Sequence, residues 1–370
     1  MAFVSVAVVP THFPWLDLSR YRFSAGVRNG DRVWLSGNTA SRHDPTTGRV
    51  VVDGSMREQA EIAWEKVGAV LAGAELTLAH VSRIVEYVTV EGLATYGDAV
   101  AIRAERLEAS GAAVSTVVVE RLVRPGALLE VEVTASGSVT DADVLYLPTL
   151  LGRGPSLAAQ VGDVLHQAIG LLTELDLDAN SIVATTEFTT PRTRSEYRAT
   201  AVIRSEVLGP NFPAATGVLM STLPARKTAE SPLVALDVTA SRQPKRCLSA
   251  GPLTFSPAVR AGDLVWVSGT TAIDPRSGVL RCVGDIAGQA GAIYDDIAGY
   301  VRALGGRGLA DLVKTVEWVP ANAMADYRRV GAVRERMLRE PLPASTGVGC
   351  ETLLQPDWLL EVTSLAVVEP

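Results

Sequence analysis

Two glutamates, Glu130 and Glu361, stand in the same apolar sequence, Leu-Leu-Glu-Val. A carboxyl group among apolar neighbours loses hydration, which raises its pKa toward the range in which an acid or a base works. We therefore take both residues as candidate catalytic groups that move a proton on a substrate. The alternative is that each side chain points to solvent from an alternating strand.

Two arginines, Arg198 and Arg328, each directly follow a tyrosine on a predicted helix. A guanidinium can bind a carboxylate through two parallel hydrogen bonds. We expect both arginines to bind the anionic part of a substrate, unless they are only exposed helix residues. The adjacent Arg226 and Lys227 offer an alternative contact for an anion.

Three further glutamates, Glu86, Glu187 and Glu317, each stand directly before an aromatic residue. Strand alternation puts each glutamate on the face opposite its aromatic neighbour. If the aromatic residues pack under helices, the glutamates converge on the centre of the molecule, where like charges repel unless they are protonated, paired or hydrated. We expect a structural ring of hydrogen bonds, with a role in each cleft as the alternative.

These residues belong to a pattern that occurs three times. A tyrosine stands ten residues after each of the three glutamates. A glutamine that opens a predicted helix stands 27 or 28 residues before each glutamate. The tyrosines are Tyr96, Tyr197 and Tyr327, and the glutamines are Gln59, Gln160 and Gln289. Because the markers keep nearly constant spacing, the sequence predicts three repeats, at residues 1–140, 141–245 and 246–370.

Each repeat is predicted to run hairpin, helix, strand, helix and two strands, which forms one α+β layer. The hairpins lie at residues 24–37 and 256–269, and only a remnant at 143–149 is left in the middle repeat. In the first repeat we expect helices at about 56–72 and 96–107. Since helices cover one sheet face, the other repeats are the expected cover of the second face.

Composition limits the classes of function. With 34 basic and 41 acidic residues the net charge is −7, which disfavours a broad nucleic-acid-binding face. Three cysteines and four histidines are too scattered for a disulfide framework or a metal site, and Cys350 is expected in the core. Phosphate-binding glycine loops and membrane-spanning apolar runs are absent from the sequence. We expect a cytoplasmic protein without cofactor, metal, nucleic-acid or membrane partners.

The chain resembles the Rid family, the reactive-intermediate deaminases also called YjgF. The matching segments are the hairpin Val-x-x-Gly-Asp-x-Val-Trp-x-Ser-Gly, the Asp-Pro-x-x-Gly loop and the closing Leu-Leu-Glu-Val strand. The resemblance covers residues 20–140 and 250–368 well and 141–245 weakly. Family members are usually homotrimers with outer helices, a central β-barrel and active sites between subunits. The resemblance therefore implies a monomer that forms an intramolecular pseudo-trimer, with further dimerisation left open.

The deaminases of this family hold the substrate carboxylate with an arginine. At that position this chain has Val114, Ala215 and Ser345, so the arginine is missing from all three repeats. The resemblance therefore places the chain with the arginine-lacking branch of the family, away from imine deamination.

The resemblance also implies which residues line a site. A tyrosine of the family site corresponds to Phe23 and Phe255, and the glutamate of the closing strand corresponds to Glu130 and Glu361. Ala235 replaces that glutamate in the middle repeat. The expected substrate-binding residues are Phe23, Phe255, Ser36, Ser268, Tyr327, Arg198 and Arg328.

A second resemblance is to the chorismatases, longer chains of Rid-like repeats that split chorismate with water and use a glutamate near the C-terminus as acid. Glu361 is placed like that glutamate. We expect a small-molecule enzyme of specialised metabolism that uses a glutamate in an inter-repeat cleft. Its reaction would be hydrolysis, dehydration or cyclisation of an enamine, imine or enol. The alternatives are a chorismatase-like hydrolase and a non-catalytic ligand-binding homologue.

Overall fold

The computed structural model describes residues 4–10, 12, 21–107, 111–138, 143–224, 231–249 and 251–369. The described strands form three sheets, of seven, five and seven strands, and one two-stranded ribbon. Each sheet carries helices from its own stretch of the chain. The fold is therefore a mixed α+β fold built from repeated units, as the sequence predicts.

The first repeat forms the first sheet. The strands of this repeat are β1 Val6–Val8, β2 Gly26–Asn29, β3 Arg32–Leu35, β4 Asn38–Thr39, β5 Arg42–Asp44, β6 Arg49–Val51, β7 Val81–Thr89, β8 Ala113–Val119, β9 Arg121–Leu122 and β10 Leu129–Ser136. Its helices are α1 Met56–Gly73 and α2 Tyr96–Arg106, and β5 and β6 form the separate ribbon. The strand order is β1-β2-β3-β10-β7-β8, with β4 also beside β10, and only β7 and β8 run parallel. Both helices begin at the predicted residue and end within one residue of the predicted end.

The second and third repeats form the other two sheets. The second has β11 Val144–Tyr146, β12 Leu150–Leu151, α3 Leu157–Thr173, β13 Ile182–Thr189, α4 Arg194–Tyr197, α5 Ala201–Leu208, β14 Ala214–Leu219 and β15 Ala235–Ser241. The third has β16 Lys245–Cys247, β17 Ala258–Ala261, β18 Leu264–Thr270, α6 Ile286–Ala303, β19 Leu312–Pro320, α7 Val330–Met337, β20 Ala344–Cys350 and β21 Glu361–Val367. The third sheet also receives β9 of the first repeat, which pairs with β20.

Helix α1 shows why these segments are helical. The Ser55 side chain accepts the Glu58 N–H, and the Glu58 carboxylate accepts the Ser55 N–H at 2.7 Å, which forms a capping box. Behind the cap, Ala60, Ala63 and Val67 form a fully buried stripe against the sheet. Within the described residues, no helix is both long and apolar enough to cross a membrane.

One buried glutamine ties each long helix to the closing part of its own sheet. The Gln59 side-chain amide donates to the Gly126 carbonyl at 2.9 Å, and its Oε1 accepts the Leu128 N–H at 2.8 Å. The corresponding acceptor contacts join Gln160 to Leu233 and Gln289 to Leu359. The repeated glutamine is therefore a structural connection between helix and sheet, which explains its constant position.

The second face of each sheet packs against the other repeats. Tyr87, Phe188 and Trp318, one from each repeat, share one core, with ring centroids 6.1 Å and 5.6 Å from Trp318 to Tyr87 and Phe188. The expected mutual cover of the sheets is therefore observed. The expected central β-barrel is not observed. Among the described strands the three sheets do not join into one closed sheet, although β9 and single bridges such as Ser24 with Ala344 link neighbouring repeats.

Side-chain hydroxyls connect the repeats in a cyclic order. Ser36 Oγ accepts the Ser345 N–H at 2.7 Å, which joins the first repeat to the third. Ser268 Oγ accepts the Ala215 N–H at 2.8 Å, which joins the third repeat to the second. Thr149 Oγ1 accepts a backbone N–H at 3.2 Å from β8, which joins the second repeat to the first.

The glutamine connection predicts a stability effect. Gln59→Ala leaves the Leu128 N–H without its acceptor, and we expect a loss of about 1–3 kcal/mol in the free energy of unfolding. Urea denaturation followed by circular dichroism measures it. The control is Glu65→Ala, which changes an exposed residue of the same helix. Equal midpoints for the two variants would contradict a structural role for the glutamine.

Candidate functional site

Each repeat contains a buried ion pair between the recurring glutamate and an arginine seventeen residues later. The pairs are Glu86 with Arg103, Glu187 with Arg204, and Glu317 with Arg334. The recurring tyrosine adjoins each pair, as in the first repeat, where Tyr96 Oη donates to Glu86 Oε2 at 2.5 Å. We call each set a Glu–Tyr–Arg triad. The arginines of the triads were not predicted from the sequence, although their constant spacing of seventeen residues from the glutamates is a usable signal.

The triads correct the expected orientation of these strands. The aromatic neighbours Tyr87, Phe188 and Trp318 lie in the shared core and not under the helices. The glutamates therefore face the helix side, where their partners are the arginines of α2, α5 and α7. Three carboxylates do not converge at the centre, because each is paired within its own repeat.

The third triad shows how the pairing sets charge. Burial alone would raise the pKa of Glu317, but the Arg334 guanidinium and two tyrosine hydroxyls hold it below its usual range. Arg334 Nε donates to Glu317 Oε1 at 2.8 Å, and Tyr294 Oη donates to the same oxygen at 2.7 Å. The carboxylate is thus ionised and fully used in structural bonds, which leaves it poorly suited to act as an acid.

A cleft between the first and third repeats, here called cleft A, brings together five predicted site residues. They are Phe23, Ser36, Glu130, Tyr327 and Arg328. The cavity has a volume of about 420 Å³. It also contains basic residues that the sequence analysis did not select, Lys66, Arg121 and Arg124.

A second cleft, between the second and third repeats and here called cleft B, brings together Glu361, Phe255 and Arg198. Its volume is about 1090 Å³. The walls are largely apolar, with Leu253, Ile273, Leu280, Leu354 and Trp358 among the lining residues. Cleft B thus combines the Glu361 carboxyl group with a large, mostly apolar space.

Glu361 is buried beside the backbone of the neighbouring hairpin. Its side chain fills the space next to Gly269, where any Cβ atom would collide with the carboxyl group. Burial raises the pKa of Glu361 to about 8, although a backbone hydrogen bond from Gly217 acts in the opposite direction. One carboxyl oxygen, Oε2, has no hydrogen-bond partner among the described residues. The side chain of this cleft-lining residue can therefore hold a proton at neutral pH.

Glu130 occupies the equivalent place in cleft A. It lies against Gly37, which stands in its hairpin where Gly269 stands in the other. Burial raises the pKa of Glu130 to about 8, opposed by the Lys314 ammonium and reinforced by Glu132. Both candidate carboxyls are thus buried and do not point to solvent, the alternative that the sequence left open.

The position of the missing family arginine lies in both clefts. Ser345 lines cleft A and Ala215 lines cleft B. Cationic groups come from other positions: Arg328 and Arg124 in cleft A, and Arg198 and Arg194 in cleft B. Arg198 and Arg328 are both exposed at the cleft surface. Their predicted role in binding an anion remains a prediction.

The two serines proposed for substrate binding use their hydroxyls within the protein. Besides accepting a backbone N–H from the next repeat, Ser36 Oγ donates to the Ser24 carbonyl and Ser268 Oγ to the Ser256 carbonyl, both at 2.6 Å. These bonds favour a structural role, and substrate binding by the serines stays a prediction. Arg226 and Lys227, the alternative anion contact, lie outside the described residues.

Cys350 is fully buried in the core shared by the repeats, as predicted. Burial raises the pKa of its thiol, which disfavours a thiolate nucleophile. Among the described residues, no group of three or more His, Cys, Asp and Glu side chains is arranged to hold a metal ion.

Comparisons with known proteins match two of the repeats. A family model described as endoribonuclease L-PSP matches residues 17–136 and 248–368. A RutC family protein of Pyrococcus horikoshii is 28% identical over 115 residues, which cover 31% of this chain and 87% of that protein. The matched regions contain both candidate glutamates.

Solved structures extend the likeness to most of the chain. A chorismatase crystal structure has a TM-score of 0.54 and 17% identity, covering 78% of this chain and 93% of its own. At this identity the likeness concerns the fold. A member of the YjgF/YER057c/UK114 family from Mycobacterium tuberculosis is 29% identical and covers 34% of this chain and 99% of its own, with a TM-score of 0.29.

The triads predict an asymmetric response to substitution. Arg334→Met leaves the Glu317 carboxylate buried without its cation, and we expect a loss of about 3–5 kcal/mol in the free energy of unfolding. The double variant Glu317→Gln with Arg334→Met should recover a large part of this loss, because no uncompensated charge remains. Chemical denaturation of the parent, both single variants and the double variant measures the coupling. Simple additivity of the two losses would contradict the proposed pairing.

The buried Glu361 predicts an opposite, pH-dependent effect. Between its ordinary pKa of 4.5 and its folded pKa of about 8, the unfolded chain ionises this residue while the folded chain keeps it protonated. Stability therefore falls as pH rises through this window. Glu361→Gln removes the penalty, and we expect the variant to be more stable at pH 7 by on the order of 3 kcal/mol.

Thermal denaturation of parent and Glu361→Gln from pH 4 to pH 9 checks this expectation. The difference between the two proteins should vanish at the acid end and grow with pH. A constant difference, or a variant that is less stable at pH 8, would show that Glu361 is ionised in the folded protein.

Proposed function

The chain belongs to the endoribonuclease L-PSP family, and from this membership we propose that it is a cofactor-free enzyme that protonates a small electron-rich metabolite in cleft B. The single observation that carries the proposal is Glu361, which lines a cavity of about 1090 Å³. It is a buried carboxyl with a raised pKa and one oxygen that has no partner within the described part of the chain. The net charge of −7 favours a small-molecule substrate over RNA.

The proposal includes an intramolecular pseudo-trimer. The repeats at residues 1–140, 141–245 and 246–370 act as three subunits, and the two glutamate-bearing clefts lie at two of their seams. The cyclic order of the hydroxyl contacts supports this arrangement. We expect the chain to act as a monomer, because its own repeats supply the surfaces that a homotrimer would obtain from other subunits.

The mechanism starts from the protonated carboxyl. Below about pH 8 Glu361 donates its proton to the nucleophilic carbon of an enamine or an enol ether. The resulting iminium or oxocarbenium ion takes up water, and the Glu361 carboxylate accepts the proton that this water releases. The adduct then separates into a carbonyl compound and an amine or an alcohol. Glu361 ends the cycle protonated, so no cofactor or external proton donor is consumed.

The cleft offers separate groups for binding. Arg198 is exposed and lines cleft B, where its guanidinium can bind a substrate carboxylate. Arg194 holds the wall in place by donating to the Leu353 and Leu354 carbonyls at 2.8 Å and 3.0 Å. The apolar residues limit hydration of the Glu361 carboxyl and so favour its neutral form. Glu130 is the equivalent carboxyl group in cleft A.

A second candidate substrate is chorismate, an enol ether. The similarity of fold to a chorismatase over most of both chains and the position of Glu361 in the last strand, β21, support it. Protonation of the enolpyruvyl methylene carbon by Glu361, followed by addition of water, would release pyruvate and a diol. A non-catalytic binding protein is the remaining alternative, and it predicts ligand binding without turnover.

The experiment measures turnover of chorismate, by pyruvate release, and of an amino-acid enamine generated in place, by release of the carbonyl product. We expect Glu361→Gln to lower the rate about 10²–10⁴-fold for the accepted substrate. The rate of the parent should fall above about pH 8, because the acid then loses its proton.

The matched control is Glu351→Gln, which changes an exposed glutamate on the same part of the third repeat. It should leave the rate unchanged. Equal rates for Glu361→Gln and Glu351→Gln would contradict the role of Glu361. Binding without turnover in the parent would favour the non-catalytic alternative.

A further inference from the structure

Clefts A and B are built on equivalent parts of the fold but differ in charge at their mouths. The loop before the closing strand aligns without gaps in the first and third repeats, from Glu130 and Glu361 backward. Cleft A has Arg121 and Arg124 at the positions where the third repeat has Thr352 and Gln355. Equivalent positions of the two clefts therefore carry charged side chains in cleft A and neutral ones in cleft B.

The basic residues of cleft A come from three separate elements. Arg121 in β9 and Arg124 just after that strand form one segment, Arg328 lies in the turn before α7, and Lys66 belongs to α1. The Lys66 side-chain nitrogen donates to the Thr39 carbonyl at 2.9 Å, and burial lowers the pKa of this group to about 7. The lasting positive charge of the cavity therefore comes from its arginines, which attract an anion.

Arg124 is held in position before any ligand arrives. Its Nη2 donates to Tyr21 Oη at 2.7 Å, and its guanidinium carbon lies 5.3 Å from the centroid of the same ring. The hydrogen bond uses only one of the five N–H donors of the guanidinium, so its remaining donors can meet a carboxylate. A fixed donor loses less conformational freedom on binding, which favours affinity.

Nearby carboxylates do not cancel this charge. Glu317 is neutralised by Arg334, and Glu132 is paired with Lys314 at 2.9 Å between the charged atoms. Burial keeps Glu130 protonated near neutral pH, and a neutral carboxylic acid can donate a hydrogen bond to an anion. The charge balance of the cavity is therefore positive.

Cleft B lacks the two loop arginines of cleft A. Of its own lining arginines, Arg194 donates to wall carbonyls and Arg204 is paired with Glu187, which leaves Arg198 as the exposed one. Its corresponding loop contributes Asp357 and Trp358, and its walls are mainly apolar. Its volume of about 1090 Å³ also exceeds the 420 Å³ of cleft A. An acidic residue and a large apolar surface select against a small ligand with several negative charges.

We propose that cleft A is a second ligand site, separate from the proposed reaction in cleft B, and that it binds a small dicarboxylate between Arg124, Arg121 and Arg328. Arginine forks match planar carboxylates, and two carboxylates can use cations from opposite repeats at once. Such a ligand joins the first repeat to the third. The cavity volume limits it to a short carbon chain.

The test is isothermal titration calorimetry of the full chain with malonate, propionate and inorganic phosphate. We expect one malonate per chain, bound about tenfold or more tightly than propionate, because the second carboxylate finds a second cation. Phosphate should bind more weakly than malonate. Equal or tighter binding of phosphate would overturn the dicarboxylate assignment, and absence of malonate binding would overturn the site.

The decisive variant is Arg121→Thr with Arg124→Gln, which gives cleft A the residues that cleft B has at these positions. We expect about tenfold or greater loss of malonate affinity. Arg328→Gln, a change at an exposed residue, provides a second variant that does not depend on the loop, with a smaller loss in the same direction.

Trp358→Ala and Glu361→Gln in cleft B are the controls and should leave malonate affinity unchanged. Loss of binding in these controls, together with unchanged binding in the cleft A variants, would place the anion in cleft B and overturn the proposal. Because Glu361→Gln is expected to bind malonate normally, failure of the reaction proposed for cleft B would leave this test unaffected.

Discussion

Every sheet in this chain has two faces to bury, and its own helices cover only one of them. In the first repeat, α1 and α2 supply a complete apolar core on the helix side. The second face carries residues such as Tyr87, which finds its cover only in Trp318 of another repeat. A single repeat would leave this apolar face in water, so the repeats depend on one another for stability. The seams between them follow from the same constraint.

The seams also explain the properties of the two candidate acids. A closing strand that enters a seam takes its glutamate away from water, and the adjacent glycines, Gly37 and Gly269, let the carboxyl lie directly against a hairpin. Burial without a matching cation raises the pKa of such a group. The third triad solves the opposite problem, because an arginine of the same repeat keeps Glu317 ionised. Thus one fold contains neutral and ionised buried carboxyls a few strands apart.

Local patterns allowed much of this structure to be predicted. The helix bounds of the first repeat, the hairpins and the α+β layer follow from periodicity and turn residues, which act over short sequence distances. The directions of Glu86, Glu187 and Glu317 were not fixed in that way, because alternation separates two faces without telling which one carries the helices. The contrast between Arg124 and Gln355 becomes meaningful only when the fold places each loop at a different cleft. Ser36 and Ser268 show a similar limit, since only the structure reveals that their hydroxyls join neighbouring repeats.

The central claim is that burial at a repeat seam keeps Glu361 protonated at neutral pH. Infrared difference spectroscopy between the parent and Glu361→Gln, recorded as a function of pH, tests it most directly. The claim predicts a protonated carboxylic acid band at pH 7 that is assigned to Glu361 and disappears as the pH rises through about 8. A carboxylate band at pH 7, with protonation only near pH 4 to 5, would contradict it.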